Sequence, residues 1–132
     1  MISAQSILIV VRGMILAHTI PIRVNAVPVA INQDLKAMLP RSGNNEYFIR
    51  WCLQCLHGHV LARVSTAAHG TKKLEMDVLT ALRIPVPPLP LQQKFAERVA
   101  EIEAMAALHD RAATAAEQTA QSLLAQVFGQ AA

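Results

Sequence analysis

The chain has 132 residues, 53% of them hydrophobic and 16% charged, with a formal net charge of +3. That is long enough for one modest core and too apolar for a disordered segment. The basic excess sits in residues 1–85, which hold nine Lys and Arg against four acids, while residues 86–132 hold three against five. Any affinity for a polyanion therefore belongs to the first part.

In chain order, Ile7-Leu8-Ile9-Val10-Val11 is a β-branched run closed by Arg12-Gly13, the pattern of a buried strand. The apolar stretch 7–17 is too short to span a membrane, which needs about 20 residues, and it contains Arg12. Residues 14–19 and 22–24 read as further strand pieces around Pro21. In residues 34–39, Leu35, Ala37 and Leu39 alternate with their neighbours. Pro40-Arg41-Ser42-Gly43-Asn44-Asn45 is a loop dense in turn formers.

Glu46 opens a helical pattern in which Phe48, Cys52, Cys55 or Leu56, and His59 or Val60 share a face. Residues 65–71 break regularity around Gly70. Leu74, Val78 and Leu82 then fall four apart, as in a short helix or turn. A proline ladder follows, Ile84-Pro85-Val86-Pro87-Pro88-Leu89-Pro90. Its apolar side chains call for burial, so the ladder reads as a stiff connector and not as an exposed polyproline ligand.

From Leu91 the period changes. Phe95, Val99, Ile102, Ala106, His109, Ala113, Ala116, Ala120, Leu123 and Val127 follow alternating steps of four and three, an a/d seam. A helix over 91–128 would be on the order of 57 Å long, more than a small globule can cover, so it must pair with another helix. The alanines make the middle of the seam weak, and the larger residues anchor its ends. The expected architecture is α+β: a small β-sheet domain with short helices (1–84), a proline hinge (85–90) and one long coiled-coil-type helix (91–128).

Chemistry-bearing constellations are sparse. Cys52, Cys55 and His59 invite a zinc reading, but all three come from one short segment without a second Cys/His pair, so no metal is expected. With neither a nucleophile and base, a carboxylate pair nor a phosphate-cradling glycine loop, the chain reads as a non-enzyme without a cofactor. Two cysteines without a secretory leader are expected to be reduced thiols in the cytoplasm.

The order of "ILIVVRG", "VPVAINQDLKAMLP", a helix, and "STAAHGTKKLEMDVLTALRIPVPPLPLQQKFAERV" resembles the DNA-specificity subunit of type I restriction-modification enzymes. The likeness is to the second part of a target-recognition domain and the long helix after it. The family has a further N-terminal portion, whereas six residues precede Ile7 here. It often has an acid just before the glutamine that follows the prolines, where this chain has Leu91.

The resemblance implies a non-catalytic chain that reads double-stranded DNA and docks methyltransferase subunits, which carry out the chemistry. Candidate DNA contacts are Arg12, His18, Arg23, Arg41, Asn44, Asn45, His69, Thr71, Lys72 and Lys73, side chains suited to phosphates or base edges. The helix is expected to pair with its own copy, giving a homodimer, or with the helix of a full specificity subunit. The rival expectation is a truncated remnant that oligomerises without binding DNA.

Overall fold

The structure, a computed structural model, describes residues 1–129 apart from the side chain of Ala68. It is an α+β chain. The elements in order are β1 (Ile7–Val10), a 3-10 turn (Met14–Ala17), β2 (Ile22–Val24), β3 (Leu35–Met38), α1 (Glu46–Cys55), α2 (His57–Leu61), β4 (Ser65–Thr66), a second 3-10 turn (Ala68–Gly70), β5 (Lys72–Lys73), α3 (Met76–Thr80) and α4 (Leu89–Gly129). Contacts divide the chain into a first unit, Met1–Ala96, and a second that begins at Glu97. Among the described residues no helix is long and apolar enough to cross a membrane.

The apolar run seen in the sequence becomes β1, the central strand of an antiparallel sheet of order β2-β1-β3. Ile7 faces Val24 and Met38, and Ile9 faces Ile22 and Lys36. Facing residues of antiparallel strands point to the same side, so one face presents Ile7, Ile9 and Ile22, all nearly inaccessible. Val11, Leu16, Ile20, Leu53, Val60, Leu74 and Leu79 complete the core. Each such side chain stabilises by about 1.5–3 kcal/mol when buried. Asn25, itself buried, accepts from the Ser6 N–H at 2.8 Å and donates to the carbonyls of Ser3 and Val27, tying the entry of β1 to the exit of β2.

Several local expectations are corrected. Residues 14–19 form no strand: Gly13, at φ 134°, redirects the chain into the first 3-10 turn, where Leu16 alone is buried. In β3 the pairing puts Lys36 and Met38, rather than Leu35, Ala37 and Leu39, in the rows of Ile9 and Ile7; Leu39 is exposed. The helical stretch after Glu46 breaks at Leu56, the C-cap of α1 and the start of α2. Of the expected face, Phe48 and Val60 are buried and Leu56 packs against the core, while Cys55, the last residue of α1, and His59 are exposed. Burial and the neighbouring Cys55 push the Cys52 thiol upward, in keeping with a packing residue.

Lys72 and Lys73, beyond the irregular stretch around Gly70, are strand residues. The turn precedes them, closed by the Ala67 N–H on the Thr71 carbonyl at 2.7 Å, with His69 and Gly70 both at positive φ. Val86 in the ladder is exposed rather than buried, while Ile84 and Leu89 are half-buried. The long helix begins at Leu89, two residues early, and runs to Gly129. Pro90 is tolerated because its missing N–H falls in the first turn, where no intrahelical partner exists.

Gln92, in that first turn, is only 1% exposed. Its Oε1 accepts from the Asn45 N–H at 2.9 Å, and its Nε2 donates to the Pro87 carbonyl at 2.7 Å and to Asn44 Oδ1 at 3.3 Å. Asn45 in turn caps α1, its Oδ1 accepting from the Phe48 N–H at 2.9 Å. Phe48 meets Phe95 of α4 edge-on, ring centroids 5.5 Å apart. Loop, proline ladder, α1 and the first turns of α4 are thus fastened at one amide.

Gln92→Ala leaves buried donors and acceptors unmatched and should cost about 2 kcal/mol. For a domain of this size that lowers Tm by on the order of 10 °C. Gln92→Glu should be no milder at neutral pH, since a carboxylate would oppose the two oxygens that Nε2 now serves. Thermal unfolding checks both, and melts that match the native chain would contradict the role.

Candidate nucleic-acid interface

The C-terminal end of β1 organises the site. Beyond Val10 the chain stays extended, and the N–H groups of Val11 and Arg12 donate to the Asp34 carbonyl at 2.8 and 3.2 Å. On the other side Gly13 donates to the Lys72 carbonyl at 3.0 Å, and Leu74 to the Val11 carbonyl at 2.8 Å. Arg12 and Lys73 face each other across this bridge. The β4–β5 hairpin is therefore fastened to β1 by backbone bonds, independently of side-chain chemistry.

Around this junction lies an open hollow of about 310 Å³ lined by Val11, Arg12, Gln33, Lys36, Lys73, Leu74, Glu75 and Met76. Arg12 and Lys36 are exposed and Lys73 is half-exposed. Lys73 pairs with Glu75 at 2.9 Å, side chains 36% and 47% exposed. A pair this wet contributes little, so the ammonium can turn to an incoming anion at small cost. Three cations against one carboxylate give the hollow a positive balance.

The remaining candidates distribute as follows. Lys72 and Lys73 are adjacent strand residues and point to opposite faces; Lys72 Nζ donates to Thr66 Oγ1 at 2.8 Å. Thr71 and His69 lie at the hairpin tip, His69 exposed. His18 is exposed at the end of the first 3-10 turn, which packs against β5, and so lies at the same end of the sheet. The segment after it is latched to α2: the Ile20 N–H donates to His57 Nε2 at 3.1 Å, and Thr19 Oγ1 donates to the same nitrogen at 3.0 Å. A backbone donor makes that nitrogen the acceptor, so the ring proton sits on Nδ1.

Arg23 faces Leu8 on β2, on the opposite side of the sheet from the Ile9 row. Arg41, Asn44 and Asn45 lie past the far end of β3, near the Gln92 tie. Both asparagine side chains are occupied within the fold, Asn45 by the α1 cap and Asn44 by Gln92 and the Arg41 carbonyl. The structure thus brings together Arg12, His18 and the 69–73 hairpin, and sets Arg23, Arg41, Asn44 and Asn45 apart from them.

Lys36 and Gln33 escape the sequence reading. Lys36 is an ordinary alternating polar residue until strand order places β3 beside β1; the pairing with Ile9 then brings it next to Arg12. Its isolated position in the sequence carries no such signal. Of the zinc constellation nothing converges: among the described residues no three His, Cys, Asp or Glu side chains form a group able to hold a metal ion.

Comparison with known proteins bears directly on this geometry. Residues 2–118 match the family described as the type I restriction modification DNA specificity domain. The chain is also similar to the type I restriction enzyme EcoR124I/EcoR124II specificity subunit of Escherichia coli, 30% identical over 97 residues, which is 74% of this chain and 24% of that protein. The match thus spans about a quarter of the length of that relative. On the extent of the family match, the chain belongs to the type I restriction modification DNA specificity domain family.

Proposed function

We propose that the first unit is part of the DNA-reading module of a type I specificity subunit, and that α4 is its helix-pairing and subunit-docking element. The observation that carries the reading is the gathering of Arg12, Lys36 and Lys73 around one open hollow at the end of β1 in a chain of this family. Double-stranded DNA is the ligand this chemistry suits. The three cations contact backbone phosphates, a contribution insensitive to sequence. Gln33 inside the hollow, with His18 and His69 on the same end of the sheet, supplies donors and acceptors for base edges. Methylation and cleavage belong to partner subunits, so the chain acts without a cofactor of its own, in the cytoplasm where the DNA is.

The second unit supports the docking role. From Ala100 to Gly129 every residue of α4 is exposed, including Ile102, Leu123 and Val127 of the seam. Met105 and Leu108, 54% and 61% exposed, lie outside the seam. A helix apolar on more than one side is one that is covered on more than one side. The seam takes another helix, and the Met105–Leu108 flank takes the methyltransferase subunits.

Duplex binding by gel shift, with and without a methyltransferase partner, tests the reading. Arg12, Lys36 and Lys73 replaced together by Ala should weaken binding to all sequences and flatten the log–log salt slope by about two to three, while Arg23→Ala with Arg41→Ala leaves it nearly unchanged. An unaltered slope in the triple variant contradicts the assignment. No binding by the native chain in either condition leaves the remnant reading, an oligomerising chain without DNA affinity. Met105→Lys with Leu108→Lys should abolish co-purification with methyltransferase subunits and spare the fold; retained co-purification moves the docking surface elsewhere.

A further inference from the structure

The chain has two cysteines, and they stand three residues apart, at Cys52 and Cys55 of α1. Both are free thiols, the first half-buried and the second exposed. Both line one hollow of about 280 Å³ in the first unit, walled by Phe48, Trp51, Ile84 and Phe95 and lined also by Arg83. This hollow is separate from the cationic one at the end of β1, with no lining residue in common. DNA reading as proposed above uses neither thiol.

Helical spacing decides what the pair can do. Residues three apart on a helix hold their Cβ atoms about 5–6 Å apart, beyond the span of about 3.5–4.5 Å that a disulfide needs. Closing a disulfide would therefore undo the last turn of α1. The thiols are nevertheless close enough for the charge of one to act on the other. An ion can bridge them without moving the backbone, because two thiolate–metal bonds of about 2.3 Å each, the length known for zinc, reach across a gap that one S–S bond of about 2 Å does not. Among the described residues no third His, Cys, Asp or Glu completes a group around them, which leaves zinc, a four-coordinate ion, short of ligands. A soft monovalent cation differs: thiolates are the ligands it prefers, and two of them suffice.

We infer that Cys52 and Cys55 form a two-thiolate site for Cu(I). Each thiol gives its proton to water as it coordinates; copper stays monovalent and no sulfur is oxidised. The bound unit carries a single negative charge, which the Arg83 guanidinium in the same hollow partly offsets. The apolar walls limit the access of competing water to the ion. Cys55, the more exposed thiol, meets the ion first, and Cys52 closes the chelate.

The full chain is titrated with Cu(I) alone, without oxygen and with ascorbate present, in competition with a chromophoric Cu(I) chelator. One ion should bind per chain, and the melting temperature should rise with free Cu(I). The emission of Trp51, the single tryptophan of the chain, should change because its ring lines the same hollow. Cys55→Ser and Cys52→Ser should each weaken binding by at least about a hundredfold, since a hydroxyl is a poor ligand for a soft cation. Arg83→Ala should weaken it by about fivefold, the worth of one exposed charge contact. Circular dichroism checks that the variants fold; should Cys52→Ser disturb packing, Cys55→Ser, at an exposed position, decides. Undiminished binding in the serine variants, one ion shared between two chains, or binding that leaves Trp51 emission unmoved overturns the site. So does a native chain that takes up no Cu(I) from the chelator.

Discussion

One buried side-chain amide fixes the geometry of the first unit. Gln92 presents an acceptor to the Asn45 N–H and donors to Pro87 and Asn44. A carboxamide is suited to this because it offers both kinds of group within one planar unit and carries no charge to desolvate. The same residue lies in the first turn of α4, so the start of that helix is set by hydrogen bonds to a loop 47 residues earlier in the chain. The prolines shorten the list of backbone conformations available between α3 and α4, and Gln92 selects among those that remain. The edge-on contact of Phe48 with Phe95 adds apolar area beside it.

With that end fastened, β1 serves two purposes along its length. Its first residues, Ile7 and Ile9, are core; its extension, Val11 to Gly13, is the scaffold for the positive hollow. The same antiparallel bonding that buries the isoleucines continues outward into the bonds that hold β5 and Asp34. Arg12, Lys36 and Lys73 are consequently carried on three strands whose spacing is set by backbone hydrogen bonds. A cationic cluster positioned in this way keeps its geometry without strong side-chain ties, as Lys73 shows by its exposed pairing with Glu75.

The fold is legible in the sequence where periodicity and burial agree. The run at Ile7, the helix after Glu46 and the long helix after Leu91 all appear where their patterns put them, because each is long or apolar enough to dominate its surroundings. Residues 14–19 depart from expectation because an apolar run of that length fits a strand or a turn equally, and the conformation of Gly13 decides between them. The helical spacing after Glu46 leaves Cys55 or Leu56 and His59 or Val60 open, and the fold turns the apolar member of each pair, Leu56 and Val60, to the core and exposes the other. Of the candidate site, Arg12 and the 69–73 segment stand out in the sequence as basic groups beside glycines, and the fold places them side by side. Lys36 joins their hollow only through strand order, and the amides of Asn44 and Asn45 are engaged within the fold, neither of which a local pattern can express.

Residue-resolved NMR of the chain titrated with duplex DNA addresses most directly where the nucleic acid lies. Amide shifts should move at Arg12, Gly13, Gln33, Lys36 and residues 69–73, with Arg23 and the Arg41–Asn45 loop unmoved. Perturbations centred on that loop, or on the β2 edge, would contradict the assignment of the interface to the end of β1.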